Sequence, residues 1–148
     1  MIKSLTLNEI QYLAHRLAAD TMEWDEPIPQ FETRYANVLE SCIATPFIRF
    51  EKKSLYVGMN LKAAVLFYLL IKNHPFQNGN KRIAVASLLI FLLKNGKWLR
   101  VDSKELYNLA VWIAESPPLA KDDMLSYITR FIKKHLVDGE VYNSSNQI

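Results

Sequence analysis

The residues of this 148-residue chain that are best suited to chemistry lie in one stretch, His74 to Arg82, which reads HPFQNGNKR. Polar and special residue types dominate the stretch, although the segments on both sides of it are almost wholly apolar. Polar groups are costly to bury unless they have hydrogen-bond partners, so a polar loop at this place indicates a functional site. Phe76 is expected to point inward and to anchor the loop. The structural alternative is a plain polar turn between two helices, with His74 as a C-terminal cap.

The functional interpretation of this stretch is an anion site beside a base. Gly79 and Asn80 can turn the backbone so that successive N–H groups face one point, and the following helix directs its N-terminus to the same place. Lys81 adds a point charge and Arg82 a planar fork suited to phosphate oxygens. His74 is the one residue of the stretch able to act as a general base near neutral pH. The combination predicts a site that transfers part of a nucleotide.

Apolar periodicity predicts helices on both sides of this loop and along the rest of the chain. The predicted helices are Leu7 to Ala19, Glu32 to Ala44, Leu61 to Asn73, Lys81 to Asn95, Asp102 to Glu115 and Asp122 to Leu136. The two that flank the loop have no polar face, which is typical of helices in a core. The sequence therefore predicts an all-α fold, a compact helical bundle with two buried central helices flanking the loop.

Several residues are assigned places on these helices. Thr6-x-x-Glu9 matches a capping box at the start of the first helix, and Asn60 is expected to cap the third. The apolar faces of the first and second helices are expected to include Leu13 and Tyr35, respectively.

Other segments do not fit a helix. Phe47 to Val57 is β-prone at both ends and polar in the middle, which predicts a short hairpin or flap. Asp25 to Pro29 contains two prolines and is predicted to be a loop. No repeat or linker divides the chain, so we expect a single domain over residues 1–136 and a flexible polar tail over residues 137–148.

The composition is that of a folded domain, because 50% of the residues are hydrophobic and 22% are charged. A single cysteine, Cys42, excludes an internal disulfide and a cysteine-cluster zinc site, and it is interpreted as a small core residue. The N-terminus has no apolar signal core, and the longest apolar run, Ile83 to Leu93, is too short to span a bilayer. A cytoplasmic protein without a membrane partner is expected.

The charge pattern does not favour nucleic-acid binding. The net charge is +3, and the basic residues form only two doublets, at 52–53 and 133–134, where a nucleic-acid surface would show a denser stripe. A small helical DNA-binding domain is therefore the least favoured alternative. His15 and His135 are interpreted as surface histidines.

The stretch HPFQNGNKR resembles the signature of the Fic family, His-x-Phe-x-acidic-Gly-Asn-Gly-Arg. It is closest to the Doc (death-on-curing) branch, in which Lys commonly replaces the second Gly. The flanks are similar as well: LESCIATP to the Doc-type segment LESALARP, LKAAVLFYLLIKNHPF to the helix before the family's loop, and LLIFLLKNGKWL to the helix and turn after it. Together these segments extend over about Leu39 to Glu115.

The resemblance implies a reaction and roles for residues. Fic proteins are all-α domains that use a nucleotide to modify a hydroxyl group on a target protein. His74 then matches the general base, and Gly79 and Asn80 match the anion-hole positions that hold the α- and β-phosphates. Arg82 matches the phosphate-binding arginine, and Lys81 matches the Doc-type lysine. The predicted flap would dock the target's backbone as an added strand, through the candidate residues Arg49, Phe50, Leu55 and Tyr56.

Doc phosphorylates elongation factor Tu, with the nucleotide bound in the reverse sense, so that its γ-phosphate meets the base. The leading hypothesis is therefore a Doc-like toxin of a toxin–antitoxin pair, which transfers the γ-phosphate of ATP to a Ser or Thr of a translation factor such as elongation factor Tu. The chain contains no match to the family's inhibitory motif, Ser/Thr-x-x-x-Glu-Gly/Asn, so a separate Phd-like antitoxin is expected. Because most Fic enzymes transfer AMP, an AMP transferase is the first alternative.

Three residues depart from the family pattern. Asn78 stands at the position of the acidic metal ligand, and its neutral amide oxygen is a weaker Mg²⁺ ligand than a carboxylate. A degenerate Fic-fold protein that only binds its ligands is therefore the second alternative. Lys81 in place of Gly, and Val85 in place of a second Arg, favour kinase chemistry over AMP transfer.

Overall fold

A computed structural model describes residues 1–22 and 27–139 of the chain. It contains six helices. Helix α1 consists of three contiguous segments, the α-helical Leu7–Glu9, the π-helical Ile10–Ala14 and the α-helical His15–Thr21. The others are α2 (Ala36–Ala44), α3 (Met59–Lys72), α4 (Asn80–Lys94), α5 (Ser103–Glu115) and α6 (Lys121–His135). Short 3₁₀ turns occupy Phe31–Thr33, Thr45–Phe47 and Pro118–Ala120.

Helices α3 and α4 form the centre of the molecule, as their largely apolar sequences predict. Ten residues of α3 and eleven of α4 are buried, and the loop that joins the two helices is the polar stretch at 74–79. The predicted all-α class is thus confirmed, with two small two-stranded sheets added to it. Within the described residues, no helix has the length and apolar character needed to cross a membrane.

Helix α1 begins with the predicted capping box but does not bury the predicted face. The Thr6 hydroxyl accepts a hydrogen bond from the Glu9 N–H at 3.1 Å, and the Glu9 carboxylate accepts one from the Thr6 N–H at 2.8 Å. Leu13, expected in the core, is 48% exposed. The π-helical turn is wider than an α-helical one, so it shifts the register of the buried residues and turns Leu13 toward solvent.

Helix α2 begins at Ala36 rather than at Glu32. Arg34 and Tyr35 are extended, between the 3₁₀ turn at Phe31–Thr33 and the helix. The backbone N–H of Tyr35 donates to the carbonyl of Pro75 at 2.8 Å, and this bond to the polar loop replaces a helical one. The expectation that Tyr35 packs in the core is therefore wrong, and its side chain is exposed.

The predicted hairpin is present, with β1 (Arg49–Phe50) antiparallel to β2 (Lys53–Ser54). Its turn residues Glu51 and Lys52 have positive φ angles of 50° and 66°. Lys62 of α3 is buried, and its ammonium donates to the carbonyl of Tyr56 at the end of the hairpin segment. This bond holds the base of the hairpin against α3.

Asn60 does not cap α3. The cap residue is Gly58, with a φ of 90°, and its carbonyl accepts from the Lys62 N–H at 3.1 Å. The chain leaves the hairpin with a positive φ that glycine adopts without steric cost, so the helix starts two residues earlier than predicted and Asn60 lies within its first turn.

A second sheet was not predicted. Strand β3 (Lys97–Leu99) pairs antiparallel with β4 (Leu136–Asp138), and Lys97 forms an ion pair with Asp138 at 2.8 Å. Helix α6 therefore ends at His135, and Val137 and Asp138, expected in the flexible tail, are paired. Residues 140–148 of that tail, and Asp25 and Glu26 of the predicted loop, lie outside the described residues.

Candidate active site

The polar loop leaves α3 through a left-handed residue. His74 has a φ of 50°, a conformation that histidine adopts more readily than most residues, and its side chain is exposed. The loop borders a cavity of about 310 Å³. Seven of the nine residues from His74 to Arg82 line this cavity, and the rest of its wall consists of Ile71, Tyr107 and Ala114. The structure therefore brings the predicted base and the predicted anion cradle to one space.

A buried scaffold holds the loop in shape. Phe76 is 1% exposed, as predicted, and its ring centroid lies 5.9 Å from that of Phe31. The Asn80 carboxamide accepts from the Phe76 N–H at 2.9 Å and donates to the Phe76 carbonyl at 2.8 Å. The amide oxygen and the amide nitrogen of Asn80 are thus both hydrogen-bonded within the loop. The group of Asn80 that is suited to a phosphate is therefore its backbone N–H.

His15 belongs to this scaffold rather than to the open surface. Its Nε2 lies 2.8 Å from the carbonyl of Pro29, and because a carbonyl only accepts, Nε2 carries the proton. The imidazole packs against Phe31 and Phe76, with centroid distances of 5.6 and 5.8 Å. The interpretation of His15 as a surface residue is therefore wrong; its partners are too distant in sequence for periodicity to reveal.

Gly79 forms the cradle at the N-terminus of α4. Its φ is 74°, and a Cβ built there would lie 2.9 Å from Cγ1 of Ile28 and 3.7 Å from Nη2 of Arg82. The first N–H groups of a helix have no partner within it, and together with the helix dipole they favour an anion. The close approach of backbone and guanidinium therefore fits a nucleotide phosphate.

The two cations of the loop differ in their surroundings. Lys81 is half-buried at the edge of the cavity, whereas Arg82 is 4% exposed. Nη1 of Arg82 donates at 3.1 Å to the carbonyl of Met22, the residue that directly follows α1. Arg82 therefore joins two helices as well as facing the cavity, a role that its position in the motif did not reveal.

The donor set for a metal ion is poor. Asn78 lines the cavity, and among the described residues no group of three or more His, Cys, Asp or Glu side chains is placed to hold a metal. A Mg²⁺ ion at this loop would have at most one neutral oxygen from Asn78, with nucleotide phosphates and water as its other ligands. The site fits a nucleotide better than it fits a tightly held metal.

The wall opposite the loop comes from α5. Tyr107 is 8% exposed, and the ammonium of Lys104 lies 4.9 Å from the centre of its ring. Lys72, the last residue of α3, donates to the carbonyl of Ser116 at 2.6 Å, which fixes the end of α5 beside the loop. Tyr107 has no distinguishing sequence signal, because its apolar spacing reads as ordinary core.

The predicted docking residues lie elsewhere. Phe50 and Leu55 are 70% and 57% exposed, and Arg49 donates to the carbonyl of Lys52 within the hairpin. Tyr56 is half-buried at the base of the hairpin. The hairpin precedes α3 and His74 follows it, so about 20 Å of helix separates them. The structure does not bring these four residues to the cavity, and their docking role stays a prediction.

The comparison with protein families agrees with this geometry. The family model described as Fic/DOC matches residues 4–92, a range that contains the whole loop, all of α3, and α4 except its last two residues. This chain belongs to the Fic/DOC family. Members of the Fic/DOC family are typically protein nucleotidyltransferases or phosphotransferases. Neither the curated proteins nor the solved structures gave a significant match.

Proposed function

We propose that this Fic/DOC protein is of the Doc type and transfers the γ-phosphate of ATP to a Ser or Thr hydroxyl of a target protein. The observation that carries the proposal is the shared cavity, in which His74 at one end of the loop faces the same space as Gly79, Lys81 and Arg82 at the other. A base and an anion cradle in one cavity are two of the parts that enzymes use for phosphoryl transfer.

The transfer follows from these parts. A ring nitrogen of His74 takes the proton of the target hydroxyl. The hydroxyl oxygen forms a bond to the γ-phosphorus, the bond from that phosphorus to the β–γ bridging oxygen breaks, and ADP leaves. Lys81, Arg82 and the N-terminus of α4 offset the phosphate charge as it moves toward the leaving group. Asn78 and the nucleotide phosphates would hold a Mg²⁺ ion, which would supply further charge neutralisation.

Two residues support phosphate transfer over AMP transfer. By its resemblance to the family signature, Lys81 occupies the position where AMP-transferring members have Gly. Val85, where such members keep a second Arg, is fully buried in α4, so this position offers no cation to the cavity. When a nucleotide binds with its γ-phosphate toward His74, the two cations at the cavity, Lys81 and Arg82, bind its phosphates.

The biological setting proposed is that of a toxin. A translation factor such as elongation factor Tu would be the target, and a separate Phd-like protein would be the antitoxin. The proposal rests on the resemblance to the Doc branch and on the lack of the family's inhibitory motif in the sequence. A cytoplasmic location follows from a target of this kind.

The proposal is tested by incubating the protein with elongation factor Tu and ATP that is radiolabelled on either the γ- or the α-phosphate. Transfer of the γ-label alone is expected, and transfer of the α-label would establish AMP transfer instead. His74→Ala and His74→Gln should both abolish labelling, because neither side chain can take the proton. His74 is exposed but has a positive φ, so both variants should fold and melt slightly below the wild type. Labelling by either folded variant would remove His74 from the mechanism.

Asn78 supports a second candidate function, a Fic-fold protein that binds a nucleotide without transferring any part of it. The poor donor set for a metal at the cavity is the observation in its favour. Calorimetric titration with ATP, with and without Mg²⁺, separates the two. Nucleotide binding without transfer to any verified target would favour the binding protein.

A further inference from the structure

A second concave surface lies between α5 and α6, and no residue that lines it also lines the candidate active site. Its cavity of about 370 Å³ is lined by Glu105 from α5 and by five residues of α6, which are Tyr127, Arg130, Phe131, Lys134 and His135. We call this surface the α5–α6 groove. Its lining combines three aromatic rings with two cations and one carboxylate.

The three rings that line the groove, those of Tyr127, Phe131 and His135, follow one another along α6. We call this row the ring ladder. Trp112 of α5 packs edge-to-face on Tyr127, with ring centroids 4.9 Å apart, and Phe131 packs on His135 at 4.3 Å. Nδ1 of His135 donates to the carbonyl of Phe131 at 2.9 Å, which fixes the imidazole beside the phenyl ring. Trp112 and Tyr127 remain 45% and 42% exposed. Large aromatic surfaces are therefore ordered and open to solvent.

Cations alternate with these rings. Along α6, Tyr127 is followed one turn later by Arg130 and Phe131, and these by Lys134 and His135. Each helical turn thus offers one ring and one cation, and four residues of helix rise about 6 Å. Neither Arg130 nor Lys134 has an ion-pair partner among the described residues. Glu105 is the single carboxylate in the groove, so the local charge stays positive.

We propose that the α5–α6 groove binds a short single-stranded nucleic acid, with bases stacked on the ring ladder and phosphates at Arg130 and Lys134. A single strand presents one flat base and one phosphate per nucleotide, and stretched strands have a repeat close to the rise of one ring–cation unit. Aromatic platforms combined with cations are the usual means of binding single strands without sequence preference. The groove runs from Tyr127 to His135, about 12 Å, which accommodates two or three nucleotides.

This inference is independent of the proposed transfer reaction. The basic doublet at 133–134 was too sparse to indicate nucleic-acid binding in the linear sequence. The structure adds to it Arg130 from the preceding turn and Trp112 from a different helix. An acidic peptide would satisfy the cations, but it has no flat group in each residue to cover the rings.

The test is fluorescence anisotropy of a labelled single-stranded oligouridylate titrated with the full chain at low and moderate salt. We expect saturable binding that weakens as salt rises. Tyr127→Ala should weaken binding at least about fivefold, as expected for the loss of one stacked base, whereas Tyr127→Phe, which keeps the ring, should stay within about twofold of the wild type. Tyr127 is 42% exposed, so both variants should fold. Tyr127→Ala loses the packing on Trp112 and should melt at a somewhat lower temperature, whereas Tyr127→Phe should melt like the wild type.

Matched variants separate a specific groove from general charge attraction. Arg130→Ala combined with Lys134→Ala should weaken binding at least about fivefold, and Lys52→Ala combined with Lys53→Ala, which removes the same charge from the hairpin, should not. Equal losses in both double variants would overturn the proposal, as would a lack of binding at low salt. Competition by polyglutamate as strong as that by unlabelled oligouridylate would show an acidic-peptide site instead.

Discussion

Lys81 and Arg82 are adjacent in the motif, but they differ in burial and in their contacts with the rest of the fold. Lys81 is half-buried and lines the cavity, so Lys81→Ala should weaken ATP binding by about 1.5–3 kcal/mol, the range for hydrogen bonds to charged groups, and leave stability unchanged. Arg82 also bonds to the carbonyl of Met22, so Arg82→Ala should weaken ATP binding and also lower the melting temperature. Calorimetric titration and thermal melts measure the two effects.

Arg82→Lys distinguishes charge from shape at this position. It keeps the charge but loses the planar fork, so it should recover only part of the ATP affinity. Lys133→Ala, an exposed lysine of α6, is the matched control and should change neither quantity. Wild-type affinity in both Lys81→Ala and Arg82→Ala would show that the loop is not the phosphate site.

Asn78 is the residue at which the chain departs furthest from its family's pattern. A carboxylate there would add a charged ligand for Mg²⁺ beside the nucleotide phosphates. Asn78→Asp should therefore raise the rate of transfer and shift the half-saturating Mg²⁺ concentration to a lower value. Its effect on ATP affinity should be smaller, because a better-held metal acts mainly on charge that develops during transfer.

A Mg²⁺ titration of the initial transfer rate, for the wild type and for Asn78→Asp, measures this effect. Lys81→Ala combined with Asn78→Asp is a useful companion, since it should keep the gain in Mg²⁺ response while losing ATP affinity. If neither protein transfers phosphate to a verified target at any Mg²⁺ concentration, the nucleotide-binding function described above is the better account.

At the scale of elements, the cradle depends on how closely α4 approaches the segment around Ile28. Gly79→Ala would place a Cβ 2.9 Å from Ile28 Cγ1 at a φ of +74°. Strained backbone positions of this kind cost about 1–3 kcal/mol, so Gly79→Ala should lower the free energy of unfolding by roughly this amount. It should also weaken ATP binding, because the added methyl group fills the space beside Arg82.

A second substitution separates the steric contact from the backbone strain. Ile28→Ala removes the atom that the new Cβ would meet, so the double variant should be more stable than the sum of the two single effects predicts. The part of the loss that remains is due to the positive φ. Strict additivity of the two substitutions in urea denaturation would contradict the close contact.

Helices and hairpin were predictable from the sequence where local signals decide them. The capping box at Thr6 and the largely apolar runs of α3 and α4 predicted these helices correctly, because each feature is determined by residues within one or two helical turns. Two of the errors arose where distant residues compete with local preference. The Pro75 carbonyl draws Tyr35 out of a helix, and the pairing of β3 with β4 takes Val137 out of a frayed tail.

The candidate site shows the same division. The motif itself located His74, Gly79 and Lys81, because their chemistry can be read from residue types in sequence. The supports of the loop could not be read in this way. His15 and Tyr107 reach the site from helices that are remote in sequence, and their spacing is that of ordinary packing residues.

At the scale of the whole molecule, the family match and the cavity do not have the same extent. The match ends at residue 92, whereas Tyr107 and Ala114 of α5 complete the cavity wall. Lys72 fixes that wall by bonding to the carbonyl of Ser116. The C-terminal helices therefore complete a cavity whose motif lies within the matched region.

The buried thiol of Cys42 can be used to measure local opening of the structure at α2. It is the single cysteine of the chain, it is 0% exposed, and burial raises the pKa of its thiol to about 11, against the smaller lowering effect of the hydrogen bond from Asn73. At neutral pH the thiol is both inaccessible and protonated, so a thiol reagent can react only when α2 moves away from the core. The rate at which Cys42 is labelled therefore measures how often α2 opens.

The same rate should sense a ligand in the active-site cavity. Tyr35 at the start of α2 is bonded to Pro75 in the loop, so an opening of α2 also releases the loop. ATP bound to the closed loop should slow labelling of Cys42 in proportion to its occupancy, as followed by intact-protein mass, while Lys81→Ala should need more ATP for the same protection. Labelling that is rapid in the native protein, or indifferent to saturating ATP, would mean that α2 and the loop open independently.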